Sequence, residues 1–473
     1  MASRIRCMTL FTSNVAPSLS VARTVVGEFG FPTPGSHPED IRAFHQLSLE
    51  AAGQFRSFYK DALGREPRPE MLNTPEQERA VSEWLQGPEG RERIQGIAER
   101  VISFVHASIG YGHPGHDKRH VLYKDPIAGL RLALEEDLSP YHELFILPSL
   151  LHDVGRLYEP ALFARPQSGA LGVDHAALGF SVTRHLLGED LATESGRSDV
   201  SLALANLRNE ILNAVLDHQC GDSRASFIAQ AVQRADREQL VGYEMLHRSL
   251  AFDTGFHGLR LRSAVMSERC HTLPLPGSAH DTHLFHHIEF YMRNLFPNVG
   301  RAAHHHTDRG KVETGRFLWL AASPAMRAQI FAPEIARDEG RHSRTGKFKA
   351  PLDPPIWRAI TEYPSPATMD ELLRVRDGRS LRDLAHTFVH PRHATRTDTP
   401  GYENWGRIDT ALTVLQPLEK RRMGDALSYG LKLADDVAQH DGRIINDALE
   451  RFGGEPSSVL GTVARLMHEL HGS

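Results

Sequence analysis

Apolar positions in this chain recur mostly at spacings of three and four, the signature of amphipathic helices packed on one face. Pro38-Glu39-Asp40 opens a helical stretch that runs to about Leu63. Thr74-Pro75-Glu76-Gln77 reads as a helix cap followed by proline at the first helical position. Ile94, Ile97, Val101, Ile102 and Val105 form a stripe that predicts a helix from Arg91 to about Ile109. Tyr111 to Gly115 breaks the pattern. Further helices are predicted near 120–136, 140–154, 174–188, 199–219 and 225–249, and alternating strand patterns are scarce.

Beyond about residue 250 the pattern weakens. Leu284 to Leu295 and Gly315 to Ala322 read as helices, and 406–437 and 456–471 as a helical C-terminal region. Residues 334–356, rich in Arg, Lys, Asp and Pro, read as a linker or exposed loop. The expected division is a helical extension over 1–95, a metal-binding domain over 96–250, a His-rich helical continuation over 251–345 and a C-terminal helical region over 346–473.

Composition narrows the function classes. Lys plus Arg number 54 against 59 for Asp plus Glu, so no global charge draws the chain to nucleic acid or an anionic membrane. Cys7, Cys220 and Cys270 lie far apart without a CxxC, which argues against a disulfide framework and fits a reducing cytoplasm. No apolar run is long enough to span a bilayer. Arg4, Arg6 and Arg23 precede the first acid, Glu28, and faintly resemble a transit peptide. A short ordinary N-terminal segment is the preferred reading. Oligomerisation is left open.

Histidine is abundant, at 28 residues, so a histidine motif must exceed a raised chance background. His-Asp occurs at 116–117, 152–153, 280–281 and 440–441. Only the second pair ends an apolar helical run, Phe145 to Leu151, and it continues as Val154-Gly155-Arg156. Polar side chains there stand at the edge of a core, where burial penalises them unless they are paired or metal-bound. The other three pairs have polar or loop-like surroundings and read as solvated. Further donors surround the second pair: His116 and His120 upstream, then Asp174-His175, Asp217-His218 and Asp236. Imidazole and carboxylate donors suit zinc, iron, manganese, nickel or cobalt, and separate helices are a usual frame for such sites. His280, His283, His286 and His287, with His304 to His306, read as a solvated face and a His-rich loop. There is no GxSxG, GxxxxGK[ST] or HExxH.

The ordered series His, His-Asp, Asp resembles the HD superfamily of metal-dependent phosphohydrolases over roughly residues 100–245. The resemblance implies an all-α HD-domain helical bundle with additional helical N- and C-terminal regions. It implies one divalent ion at His120, His152, Asp153 and Asp236. His120 is chosen over His116 because such members often read His-Asp-x-x-His. His175 and His218 fall where binuclear members hold a second ion, with Asp153 bridging. One or two ions of Mn, Fe, Zn, Ni or Co are thus expected. Family members often carry lysine after the motif glycine; here Arg156 stands there. The implied activity is hydrolysis of a small phosphorylated substrate, a nucleotide or related ester, by metal-activated water. Arg156 and Lys124 would meet the phosphate, and Asp153 would stand at the centre of the chemistry. The same six ligands are similar to those of mixed-valent di-iron oxygenases on this scaffold, which cleave C–C or C–P bonds. A nucleotide-binding regulatory module is a third reading.

Overall fold

Thr74 begins a helix as its sequence asks. Its side chain accepts the Gln77 amide, and the Gln77 side chain accepts the Thr74 amide at 2.9 Å, a reciprocal cap with Pro75 just inside. In a computed structural model of the protein, helices of this kind make up nearly the whole of the described chain. The described residues are 29–63, 73–108, 112–113, 116–117, 121, 124–135, 143–144, 146–163, 174–188, 198–218, 232–233, 235–236, 242–246, 301–341, 351–362, 417–454 and 458–472. The helices predicted over 284–295, the histidines at 280–287 and His120 lie outside them.

In chain order the helices are α1 (Pro38–Leu63), α2 (Pro75–Gln86), α3 (Pro88–Ser108), α4 (Asp125–Glu135), α5 (Ile146–Leu151), α6 (Glu159–Phe163), α7 (His175–Leu187) and α8 (Ser198–Leu216). They continue as α9 (Arg301–Ala321), α10 (Pro324–Ile330), α11 (Ala332–Asp338), α12 (Pro354–Thr361), α13 (Pro417–Phe452) and α14 (Val459–Gly472). A two-residue antiparallel ladder joins Gly112–His113 to His116–Asp117, and a short 3-10 turn runs over Val154–Tyr158. Apart from that ladder the described chain is all-α. Among the described residues no helix is long and apolar enough to cross a membrane.

Two apolar clusters hold the helices together. The first joins α1 to α8 with the C-terminal end of the chain, and Ile97, Phe104, Leu130, Leu151, Phe180 and Leu207 are wholly or almost wholly buried in it. The second joins 243–246 with α9 to α12, around Phe317, Phe331 and Trp357. Helix α13 belongs to both. Met423 and Leu427 near its start lie in the second cluster, while Ile444, Ile445 and Ala448 near its end lie in the first. Its 36 residues span roughly 54 Å at the usual helical rise.

Residues 334–356 are not simply an exposed linker: they include most of α11 and the start of α12. Glu334 is fully buried and its carboxylate accepts the Leu352 amide at 2.8 Å. Arg337 and Asp338 also have partners further along the chain, the Leu352 carbonyl and the Trp357 indole N–H, so the composition misleads there. The His440-Asp441 pair is likewise not a solvated one. Asp441 is buried and ion-paired to Lys124, which also lies 3.0 Å from Glu244. A charge placed inside a protein is tolerated when it is paired in this way.

Candidate metal centre

The centre is built at helix ends. Helix α5 stops at Leu151, and His152 follows it with its amide on the Pro148 carbonyl at 2.8 Å. Its ring Nδ1 lies 3.0 Å from the Ser149 carbonyl, three residues back. His218 repeats the device beyond α8, with Nδ1 2.7 Å from the Val215 carbonyl. Carbonyls in the last turn of a helix lack intrahelical donors, so each imidazole satisfies one of them. A carbonyl can only accept, so the proton of each neutral ring sits on Nδ1. The Nε2 lone pairs of His152 and His218 are therefore aimed into the protein, the tautomer of an imidazole ready to ligate.

His175 arrives from the opposite polarity, as the first residue of α7. Asp174 caps that helix by accepting the Ala177 amide at 3.0 Å. The 3-10 turn and α7 approach backbone to backbone, and Gly155 permits it: a Cβ there would stand 2.0 Å from the His175 carbonyl oxygen. Gly179 does the same on α7, where a Cβ would stand 3.0 Å from the His152 carbonyl oxygen. The glycine of the Leu151-to-Arg156 segment thus has a steric role in seating His175.

Asp153 occupies the middle, with backbone angles φ −101° and ψ 6°, in the sparsely populated bridge region. Its Oδ1 lies 3.4 Å from His218 Nε2 and 3.5 Å from His175 Nε2. Those two imidazole nitrogens are 3.3 Å apart. Its Oδ2 lies 4.0 Å from His152 Nε2, and that same nitrogen lies 3.7 Å from Asp125 Oδ2. The two carboxylate oxygens therefore look into two donor groups, Asp153–His175–His218 and Asp125–His152–Asp153. All these residues are buried, His152 and Asp125 completely. Two donors each about 2.1 Å from one ion stand roughly 3.0 Å apart at a right angle and roughly 3.4 Å apart at the tetrahedral angle. The first group has that spacing, and the second is somewhat wider. The buried His and Asp groups could hold a metal ion.

Charge around the centre is arranged by its neighbours. At His175, burial and then the Arg156 guanidinium hold the pKa well below the ordinary imidazole value, against the pull of Asp153. At His218, burial works downward and is outweighed by the Asp153 carboxylate, as hydrogen-bond partner and as charge, and by Asp236; its pKa is raised. Arg156 Nη1 donates to Glu159 at 2.9 Å, and its Nε lies 3.6 Å from Asp153 Oδ1. Burial opposes the Arg156 charge, but Asp153 and Glu159 together raise its pKa.

Of the residues singled out from sequence, the structure brings His152, Asp153, His175 and His218 together. Asp236 is half-buried and close enough for its charge to act on His218 and Arg156. His120 lies outside the described residues. Lys124, expected to meet a phosphate, is buried between Asp441 and Glu244. Arg156 is only 19% exposed and is tied to Asp153 and Glu159. Sequence reasoning passed over Asp125. An aspartate before a proline at a helix start reads as a cap, and its apolar neighbours Ile127 and Leu130 gave the one available hint that it is buried. No family model, no curated protein and no solved structure matches this chain.

Proposed function

We propose that this chain is a metal-dependent phosphohydrolase of the HD superfamily, acting on a phosphate ester such as a nucleotide. The observation that carries the reading is the division of Asp153, whose two oxygens face two different sets of imidazole and carboxylate donors. Such a carboxylate is suited to bridge two cations. Divalent ions held there would lower the pKa of water toward neutrality and withdraw charge from a phosphoryl oxygen.

The chain's own part is preorganisation. The backbone carbonyls of Ser149 and Val215 fix two imidazoles in the ligating tautomer. Arg156 holds the Asp153 carboxylate on its Nε side and Glu159 on Nη1. A guanidinium has five N–H donors, so one that steadies two carboxylates retains others for a phosphoryl oxygen. Polar groups fixed in this way act on developing charge without reorganising.

The test is release of phosphate from a panel of phosphomonoesters and diesters, under strict anaerobiosis, with Mn²⁺ supplied to metal-free protein. Turnover is expected, and Asp153→Ala is expected to abolish both turnover and bound metal. The six ligands expected from the sequence resemble those of mixed-valent di-iron oxygenases, so the informative opposite is concrete. Iron-dependent oxygen uptake with an organic substrate, and no phosphate from any ester, would transfer the assignment to that class.

A further inference from the structure

We propose that Asp125 is a metal ligand, and that Asp125, His152 and the Oδ2 side of Asp153 seat an ion of harder character than the ion at His175, His218 and Asp153 Oδ1. The inference rests on the metal-binding half of the preceding reading and not on its hydrolase half.

Three acceptors converge at Asp125. The His152 proton is on Nδ1, against Ser149, so its Nε2 offers a lone pair. That lone pair faces the Oδ2 atoms of Asp125 and Asp153, at 3.7 and 4.0 Å. Neither separation is a hydrogen bond. Imidazole and carboxylate donors gathered in this way are a donor group able to hold a metal ion. Asp125 has no exposure at all, which sets it apart from an ordinary acid in the first turn of a helix, where solvent is shared. Its backbone is anchored from the preceding residue, because Lys124 is clamped to Asp441 and Glu244.

The two donor groups differ in kind. Asp125–His152–Asp153 has two carboxylates and one imidazole, whereas Asp153–His175–His218 has one carboxylate and two imidazoles. Oxygen donors favour manganese and magnesium, and imidazole favours zinc, iron and nickel. The groups differ in spacing as well, 3.7 and 4.0 Å in the carboxylate-rich group against 3.3 to 3.5 Å in the other. The Asp125 side therefore discriminates less against Mn²⁺ than the His175–His218 side does.

The experiment loads metal-free full-length protein with one equivalent of Zn²⁺, then titrates Mn²⁺ and counts it by electron paramagnetic resonance. One Mn²⁺ per chain is expected, with zinc retained by elemental analysis. Asp125→Asn is expected to weaken Mn²⁺ binding at least fivefold while one zinc stays bound, and Asp125→Glu to recover part of the loss. Mn²⁺ binding weakened less than fivefold in a folded Asp125→Asn protein would overturn the proposal. Should that variant fail to fold, wild type decides: nitrogen couplings in the spin-echo spectrum of bound Mn²⁺ are expected from one imidazole, and couplings from two would sink the assignment. Two ions without phosphate release would leave this proposal standing and remove the hydrolase; phosphate release by a protein that binds one ion would do the reverse.

Discussion

Lys124 and Asp441 stand 317 residues apart in the chain and meet as a buried ion pair. The pair joins the residue before α4 to helix α13, and Glu244 adds a second carboxylate to the same ammonium. Asp441→Ala is expected to cost about 2 kcal/mol or more, because removing one partner strands part of a buried charge. Urea unfolding of Asp441→Ala, Lys124→Ala and the double variant measures it as a mutant cycle. A coupling energy near zero would show that Glu244 alone suffices for Lys124.

A second expectation concerns Gly155. A methyl group there collides with the His175 carbonyl and with the Gly179 amide, both backbone atoms that no rotamer change can move. Gly155→Ala is expected to lower stability by about 3 kcal/mol and to deplete bound metal, since His175 is displaced with its helix. Gly179→Ala meets no contact under 3.0 Å, only the His152 carbonyl oxygen at 3.0 Å and a Val215 methyl at 3.3 Å, and is expected to be milder. Thermal melting joined to elemental analysis separates the two. Equal metal content in wild type and Gly155→Ala would show that α7 shifts without moving its ligand.

Acid should loosen the entry to α7. His45 Nε2 accepts the Asp174 amide at 3.2 Å, which requires that nitrogen to be unprotonated. Burial lowers the His45 pKa, with the Asp174 charge opposing in part. A histidine whose folded pKa lies below its unfolded one contributes stability that is whole above the unfolded value. That contribution is lost as pH falls through the folded value. The urea midpoint is therefore expected to drop between pH 7.5 and pH 5, and the drop to be smaller in His45→Gln, whose amide oxygen can accept the same N–H without titrating. An identical pH slope in the two proteins would assign the loss to other groups.

The second apolar cluster offers an optical test. Phe331 is fully buried against Trp319 and Trp357, with ring centroids 5.5 and 5.4 Å away, and the two indoles also touch each other at 5.6 Å. Phe331→Ala is expected to cost about 3–5 kcal/mol through lost transfer energy and an unfilled cavity. Tryptophan emission should shift to the red as water reaches the two indoles. Unchanged emission and stability would mean that α10 and α11 close over the gap.

Much of this architecture was legible because its causes are local. The Pro38–Leu63 helix and the Thr74 cap follow from capping chemistry and apolar period, and the structure has both. His175 and His218 could be singled out because each sits at a helix end beside an acid. Asp125 was hidden by resembling a cap, and its service to the site depends on α5 delivering His152 opposite it. Asp441 carries no local mark, since it reads as a solvated charge until the fold brings it to Lys124, which the sequence assigned to a phosphate instead. Glu334 misled for the same reason: its acceptor role depends on Leu352, 18 residues on.

Helix α13 gives the chain a timetable. Ribosomes add about 5–20 residues per second and domains generally fold from the N-terminal side as they emerge. Asp441 is made 317 residues after Lys124, which at those rates is roughly 16 to 60 s. Throughout that interval Lys124 lacks its Asp441 partner, and the wall that α13 supplies to each apolar cluster does not yet exist. The donor groups of the N-terminal half are all synthesised early, yet the Asp441 half of the anchor next to Asp125 is made late. A nascent chain thus holds the residues of both donor groups well before the ion pair beside Asp125 can form.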